Sequence, residues 1–335
     1  MDCLITIIIP VYNAERFILT CLQSVSLQTF KEFEVLLIND GSTDCTEALI
    51  KNYIEKKPNW FLFSKENGGV SQARNLGIRK ANGNHIVFID ADDSVDENYL
   101  KKLYEPYYNS IVQLTCCGYT EFSKYNNDGT LLHDFHNFNN KIIDKNDFYK
   151  KLFTGVTGVL WGKMFVSSII KENKILLNEN IHLSEDLVFV FEYIYYVEKI
   201  ALVKEHLYYY NRIHESGLSS KLTISNLLDL QLTNDILTKL GSKQTVLNLD
   251  EILKKRFVEA IINITRSVSI SKNPIEKKIR DLNYILSETK KSLEFHVDFN
   301  KDSKIILRLL KKEAFNTLLL YNFLYNTLRK IKNMF

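Results

Sequence analysis

The chain has 335 residues, of which 45% are hydrophobic and 25% charged, so it is a globular protein with enough apolar material for a large core. Its net charge is only +3 and no recognised nucleic-acid-binding motif is present, which argues against a nucleic-acid partner. None of the five cysteines forms a CxxC pair, so the sequence favours a reducing compartment over a disulfide framework or a zinc site.

Predicted strands and helices alternate through the first hundred residues. Near-continuous apolar runs predict buried strands at residues 4–10, 33–39, 60–64 and 85–90. Helical spacing of apolar residues predicts a helix at residues 14–28, and capping signals predict helices at residues 48–57 and 71–78. Two capping-box patterns, Asp44 with Glu47 and Ser94 with Glu97, predict helix starts, and Ser71 is a third candidate cap. This alternation predicts an α/β fold with a Rossmann-like, mainly parallel sheet and flanking helices.

The turns that follow the four predicted strands carry most of the short polar residues of this half. In a parallel sheet, ligands bind beyond the carboxyl ends of the strands. We therefore expect these turns to meet at one crevice; they are Pro10–Asn13, Asn39–Asp44, Glu66–Ser71 and Asp90–Asp93.

The rest of the chain is less regular at first and then helical. The sequence predicts strands at residues 111–118 and 158–166, a helix at 185–197, and two short strands within 200–212. From about residue 221 onward the apolar periodicity is helical. We expect two domains, residues 1–218 and an α-helical C-terminal region of residues 219–335.

The sequence Asp90-Ala91-Asp92-Asp93 directly follows an apolar strand. Three neighbouring carboxylates repel one another unless donors or a cation neutralise them. Hard divalent ions prefer oxygen ligands, so Mn²⁺ or Mg²⁺ could be held here beside substrate phosphates. The alternative is an acidic loop that caps the helix after Ser94.

Two further turns carry candidate ligand-binding residues. Asp40 stands where a strand-end acid could accept hydrogen bonds from a base or ribose, and Gly41 permits a tight turn. The glycines of residues 67–71 permit close approach of the backbone to a ligand, and Arg74 lies one helical turn further on. Turn chemistry and a surface arginine are the alternatives for these segments.

Four segments in this order are similar to the motifs of the family 2 glycosyltransferases, which have the GT-A fold. The segments are IIIPVYN (residues 7–13), NDGSTD (39–44), NGGVSQARN (67–75) and FIDADD (88–93). The resemblance is close over residues 3–100 and looser to about residue 216. It implies roles for matching positions: Pro10, Val11 and Tyr12 in the nucleobase pocket, Asp40 on the base, Arg74 near the nucleotide, Asp90 and Asp92 as the DxD element at ribose and metal, and Asp93 as a third metal candidate.

Later segments also resemble the family. Asp186 in Ser184-Glu185-Asp186 matches the catalytic base, with Glu185 in reserve, although acids at a helix start are also favoured by the helix dipole. Lys163 lies in WGKMF (residues 161–165), which is similar to the acceptor-side WxK segment; a buried aromatic strand with an exposed lysine is the alternative. Arg212 and His214 match leaving-group contacts near the diphosphate, but the spacing of this closing segment departs slightly from the family's.

The resemblance implies an inverting glycosyltransferase that uses a metal and a nucleotide diphosphate sugar, with UDP as the preferred nucleotide. A catalytically inactive nucleotide-sugar or carbohydrate-binding module is the alternative, and the presence of Asp90, Asp92 and Asp186 favours the enzyme. A dinucleotide-dependent oxidoreductase would carry GxGxxG in the first turn, which instead reads PVYNAE. A P-loop is absent from the sequence.

The C-terminal stretch is basic and apolar. From residue 301 onward there are eight Lys and Arg against two acids, a local charge of +6. Residues 304–335 could lie on an anionic membrane as an amphipathic helix, or pack on the C-terminal bundle with a solvated basic face. No signal peptide or membrane-spanning run is evident, so we expect a cytoplasmic protein, with peripheral membrane contact left open. Such contact would suit a lipid-linked glycan acceptor in capsule or other surface-polysaccharide synthesis.

Overall fold

The computed structural model describes residues 4–109, 111–123, 126–133, 141–151, 158–212, 223–242, 249–290, 292–294 and 299–332. The chain divides into two compact units, residues 1–217 and residues 218–335. The first unit contains the β-sheet and the second is helical, and each is described by itself.

One mixed sheet forms the centre of the first unit. In the described ranges its strands are β1 (Ile5–Val11), β2 (Phe33–Asp40), β3 (Trp60–Lys65), β4 (His85–Phe88), β5 (Ser94–Val95), β6 (Leu114–Ser123), β7 (Asn126–His133), β8 (Ile142–Asp144), β9 (Lys163–Val166) and β10 (Lys199–Arg212). Their order is β3-β2-β1-β4-β9-β6-β10-β5, with β7 beside β6 and β8 beside β10. Strands β1 to β4 are mutually parallel, β6 is parallel to β10, and β9 is antiparallel to both neighbours. The predicted GT-A-like α/β architecture is confirmed.

Helices lie between these strands. They are α1 (Ile18–Ser26), α2 (Thr46–Ile54), α3 (Val70–Lys80), α4 (Tyr99–Asn109), α5 (Lys145–Lys151), α6 (Ser167–Glu172) and α7 (Glu185–Tyr195). The helices predicted near residues 14–28, 48–57, 71–78 and 185–197 are therefore present, with ends that differ by a few residues.

Strand β1 is the centre of the core, and each of its seven residues is buried. Pro10, which has no N–H to donate, lies beyond Ile8, the last residue of β1 that pairs with β4, and is in register with Ile38 of β2. Helix α3 packs directly on this strand, because a Cβ at Gly77 would lie 2.5 Å from a side-chain carbon of Ile8. A larger residue at position 77 would push the helix, and the side chains it carries, away from the sheet.

The first predicted capping box, Asp44 with Glu47, forms only in part. Asp44 does serve the start of α2, because its Oδ1 atom accepts the Thr46 N–H at 3.0 Å. Glu47 does not reach back to the helix start. Its Oε2 atom accepts a hydrogen bond from Asn39 at 2.7 Å instead, so tertiary contact with the end of β2 overrides the local pattern.

Two other local predictions are corrected. Ser71 lies inside α3, and the cap position is Gly69, whose φ of 90° suits glycine. The second capping box is wrong because residues 94–95 are extended and pair with β10, so the next helix begins only at Tyr99. The two short strands predicted within 200–212 are one continuous strand with shifts in register.

The second unit is a bundle of helices, as predicted. It contains α8 (Leu227–Gly241), α9 (Leu249–Ile270), α10 (Ile275–Thr289), α11 (Lys301–Lys311) and α12 (Phe315–Lys332). The long helix α9 is central and packs against the other four. A buried hydrogen bond from Asn322 to Ser269, 3.0 Å long, fixes α12 on α9. Among the described helices, none combines the length and apolarity needed to cross a bilayer.

Candidate active site

The turns after β1 and β2 meet, as the parallel sheet predicted. The backbone N–H of Asn13 donates to Ser42 at 2.9 Å, and the Asn13 side chain accepts the N–H of Thr43 at 2.8 Å. Residues 10–11 are buried at the end of β1, whereas Tyr12 is 53% exposed. An exposed aromatic ring at this edge is available to stack on a nucleobase.

Asp40 at the end of β2 binds the loop before α3. Its carboxylate accepts the N–H groups of Gly68 at 3.0 Å and Gly69 at 2.7 Å, and pairs with Lys65 at 2.5 Å. These bonds hold the turns after β2 and β3 together. The acid predicted to contact the base is thus largely engaged by protein donors, and it shapes the glycine loop.

Arg74 is the centre of a buried charge cluster. Its Nη2 atom lies 2.8 Å from Asp90, and its Nη1 atom lies 2.8 Å from Asp186 and 3.2 Å from Glu185. The arginine is only 4% exposed, and the three carboxylates are largely buried. The candidate base and the first DxD aspartate, 96 residues apart in the sequence (186 − 90), therefore share one guanidinium.

Among the described ion pairs of this cluster, one guanidinium meets three carboxylates, and the buried Lys163 lies near Asp186 as a further basic group. Burial raises the pKa of Asp186 to about 7; Arg74 opposes this, while the charges of Glu185 and Asp90 add to it. A carboxylate with a pKa near neutrality can accept a proton in a reaction at physiological pH. The environment of Asp186 therefore suits a general base.

The three candidate metal ligands have different surroundings. Asp93 is buried, and its oxygens accept the hydroxyl of Tyr208 at 2.6 Å and the N–H of Asn211 at 2.8 Å. Burial and the charges of Asp90 and Asp92 raise the pKa of Asp93. Asp92 is exposed. Asp93 thus ties the acidic turn to β10, whereas Asp92 faces solvent.

The residues present fit a hard divalent cation. The acidic turn offers carboxylate oxygens, and the neighbouring Arg74 cluster has more negative than positive charge. Asp90 and Asp92 would hold such an ion, with Asp93 beside them. In the described part of the chain, no three His, Cys, Asp or Glu side chains are arranged as a ready-made metal cage. Magnesium sites usually combine one or two carboxylates with substrate phosphates.

Lys163 and Trp161 lie inside the protein, next to the Asp186 side of the site. Lys163 is fully buried, which lowers its pKa, while the nearby Asp186 and two cysteines act in the opposite direction. An exposed lysine, one of the two alternatives for this segment, is thus ruled out. The backbone N–H of Leu160 donates to Asp186 at 3.4 Å.

An aromatic cluster that the motifs did not predict joins Trp161, just before β9, to rings of β6 and β10. The Trp161 ring stacks on Tyr208 with centroids 4.5 Å apart, and on Tyr210 with centroids 5.2 Å apart. Tyr119 meets Trp161 edge-on at 4.8 Å. The signal was the spacing of Tyr208 and Tyr210, because residues two apart in a strand share one face. The cluster fixes the strand that carries the partners of Asp93.

The closing segment is only partly described. Arg212 is exposed and pairs with Glu121 at 3.3 Å, so it lies at the ends of β6 and β10. His214 lies outside the described residues. The predicted leaving-group contacts of both residues stay predictions.

A cavity of about 240 Å³ lies beside the acidic turn. Its walls mix acidic, amide and aromatic side chains: Phe17, Thr20, Asp92, Asp93, Ser94, Phe122, Tyr209 and Asn211. The exposed Asp92 of the acidic turn therefore borders a cavity of small-molecule size.

Comparison with known proteins agrees with this geometry. Residues 6–169 match the family model described as "Glycosyl transferase family 2". The chain is 28% identical over 210 residues to glycosyltransferase GlyA of Streptococcus pneumoniae, covering 57% of this chain and 30% of that protein. The chain thus spans less than a third of the length of this curated relative.

Two solved structures resemble the whole chain. A crystal structure of S. aureus TarS 1–349 in complex with UDP-GlcNAc matches with a TM-score of 0.73 and 19% identity, covering 97% of this chain and 92% of that one. The mannosyltransferase PcManGT of Pyrobaculum calidifontis, in complex with GDP-Man and Mn²⁺, matches with a TM-score of 0.55 and 14% identity, covering 96% and 86%. At these identities the matches establish the fold.

The sequence motifs, the sheet and the family match lead to one conclusion. Residues 6–169, within the first unit, form a glycosyl transferase family 2 domain.

Proposed function

We propose that this chain is an inverting, metal-dependent glycosyltransferase that moves a sugar from a UDP-sugar to an acceptor hydroxyl. The observation that carries the proposal is the binding of Asp90 and Asp186 to the same guanidinium of Arg74. The metal-side acid and the candidate base are thereby neighbours at the edge where parallel sheets bind ligands. The TarS complex with UDP-GlcNAc supports a UDP-linked donor.

The proposed reaction is a single displacement at the anomeric carbon. Asp186 takes the proton of the acceptor hydroxyl, whose oxygen forms the new bond to the sugar as the bond to the diphosphate breaks. Positioned base catalysis of this kind contributes on the order of 10²–10⁴-fold. Inversion follows because the hydroxyl attacks from the face opposite the leaving nucleotide.

Residues of the sheet edge would bind the donor. Tyr12 would stack on the base, and Asp40 would hold the glycine loop against the nucleotide. A divalent cation, Mn²⁺ or Mg²⁺, supplies charge stabilisation for the departing diphosphate when bound. Asp90 and Asp92 would hold it, and the PcManGT complex with Mn²⁺ supports metal use in this fold.

The acceptor is proposed to be a glycan on a lipid carrier, reached from the membrane surface. The last helix, α12, exposes the apolar side chains Leu320, Phe323 and Leu328, the last two being 63% and 66% exposed. The neighbouring helix α11 exposes the basic residues Arg308 and Lys311. Exposed apolar and basic side chains together favour binding to anionic lipid.

Vesicle sedimentation tests the membrane part of the proposal. The wild type should sediment with vesicles that contain phosphatidylglycerol and not with pure phosphatidylcholine. The double substitution Phe323→Ser and Leu328→Ser should abolish sedimentation, because it removes apolar surface without changing charge. Leu228→Ser, at an exposed leucine of α8, is the matched control and should bind as wild type. Equal sedimentation of the double variant would refute membrane docking through α12.

Donor binding and turnover test the enzyme itself. UDP-GlcNAc with Mn²⁺ should raise the melting temperature, because only ligands that bind the folded state do so. UDP release should then require Mn²⁺ and stop with EDTA. An inactive binding module would show the melting shift without UDP release. If GDP-mannose raised the melting temperature and UDP-GlcNAc did not, the donor nucleotide would be GDP and not UDP.

A further inference from the structure

Arg74 connects two distant parts of the first unit through one side chain. Its Nη2 atom lies 2.8 Å from Asp90, just after β4, and its Nη1 atom lies 2.8 Å from Asp186, at the start of α7. The planar guanidinium fixes the spacing of its two nitrogens. The carboxylates of the two aspartates are therefore held at a set separation.

The geometry depends on an arginine. A lysine would bring the same charge, but its single nitrogen cannot bind both aspartates from fixed positions. Charge-assisted hydrogen bonds of this length are stronger than neutral ones, and the burial of Arg74 limits their screening by salt. The contact is thus strong as well as directional.

An ion pair that only joined β4 to α7 would not need three carboxylates around one arginine. Arg74 also pairs with Glu185 at 3.2 Å, so one positive charge meets three negative charges. An excess of buried negative charge opposes folding, because each carboxylate loses hydration and repels the others. The excess negative charge therefore lowers the stability of the folded state. A one-to-one ion pair between β4 and α7 would avoid this loss.

We propose that Arg74 is a positioning residue for sugar transfer. It holds Asp186 at a fixed distance from Asp90, so that the base meets the acceptor hydroxyl at the point where the donor is bound. Arg74 acts through Asp186 and exchanges no proton with the substrates. This inference rests on the function proposed above.

The first experiment compares kcat with KM in the full-length protein. The probe is UDP-GlcNAc with Mn²⁺, with water as acceptor: the bond from the anomeric carbon to the diphosphate breaks, a bond to water oxygen forms, and Asp186 takes the proton. Arg74→Lys should lower kcat by about 100-fold, which is the effect of a small misplacement, and leave KM within threefold. Arg79→Ala, at an exposed arginine of the same helix, is the control and should leave both constants unchanged.

The second experiment separates geometry from charge. Arg74→Ala removes the atoms that ethylguanidinium can replace. Millimolar ethylguanidinium should therefore raise the kcat of this variant at least tenfold. Ethylammonium has the same charge but one nitrogen, and it should restore little. Equal rescue by both cations would overturn the proposal, as would failed rescue by ethylguanidinium in a variant that keeps its melting temperature. If Arg74→Lys does not fold, this experiment decides.

The outcomes separate this inference from the proposed function. An active wild type with a fully active Arg74→Lys variant refutes the inference alone. A wild type that releases no UDP refutes the proposed function, and the inference falls with it.

Discussion

Two arginines of this molecule, one in each unit, pair with carboxylates, and the charge balance of the two clusters differs. In the first unit, Arg74 meets three acids. In the second unit, Arg266 pairs with one acid among the described residues, Asp302, and the Tyr321 hydroxyl donates to the same carboxylate at 2.5 Å. The second cluster is balanced, and its ring neighbour Tyr325 lies 5.8 Å from the guanidinium.

The difference teaches how to tell a structural ion pair from a functional one. A balanced pair carries no excess charge, and the Tyr321 hydroxyl adds a hydrogen bond to its carboxylate, so the pair can join helices α9 and α11. An unbalanced cluster leaves negative charge to be offset by something else, and perturbed carboxylates of this kind concentrate at functional sites. The contrast predicts opposite responses to the same chemical change.

The largest expected effect is on turnover. Asp186→Asn should lower kcat for UDP release by about 10³-fold, because the amide cannot accept the acceptor proton. The affinity for UDP-GlcNAc should change little in a thermal-shift titration. Asp302→Asn, the same substitution in the balanced cluster, should leave kcat unchanged. Unchanged turnover in the Asp186→Asn variant would refute its role as base.

Much of the fold could be predicted because the local periodicity of apolar residues determines where its strands and helices lie. The apolar runs of β1 to β4 and the helical spacing of α7 need no knowledge of distant partners. The wrong predictions were also made from local patterns. Glu47 was predicted to cap its own helix, but its carboxylate accepts a hydrogen bond from Asn39 at the end of β2 instead. A pattern of four residues cannot show which tertiary partner will compete for a side chain.

The site divides in the same way. The acidic turn and the glycine loop were recognisable because several polar residues are contiguous at a strand end. The bond between Arg74 and Asp186 joins positions 112 residues apart, and no short pattern connects them. Likewise, the hydroxyl of Tyr208 on Asp93 depends on the neighbourhood of β10, which only the folded sheet provides.

The acidic turn offers a second test of the contrast between functional and structural acids. Asp92→Ala should weaken the Mn²⁺ response of UDP release by about 10-fold or more and leave the melting temperature near wild type, because Asp92 is exposed. Asp93→Ala should instead lower stability by about 1–3 kcal/mol, since it leaves the Tyr208 hydroxyl and the Asn211 N–H without their acceptor. Metal titrations and urea melts of both variants measure this; a reversed pattern would make Asp93 the metal ligand.

Stability should respond oppositely in the two arginine clusters. Asp186→Asn relieves the negative excess around Arg74 and should raise the free energy of unfolding at neutral pH by about 1 kcal/mol. Asp302→Asn leaves Arg266 without its charge partner and should lower it by about 1–2 kcal/mol, discounted because the pair is partly exposed. Urea unfolding at pH 7 compares them. Destabilisation of both variants to the same extent would show that the two clusters are equivalent.

The last test of the comparison is the pH dependence of stability. The pKa of Asp186 is raised in the folded state to about 7, above the unfolded value near 4. Between these values the folded state binds more protons than the unfolded state, so this contribution to stability falls as pH rises from about 4 to 7. Asp186→Asn should flatten that part of the curve, whereas Asp302→Asn should not. Urea midpoints at pH 5 and pH 8 measure the slope, and an identical fall in wild type and Asp186→Asn would show that the carboxylate is already ionised at pH 5.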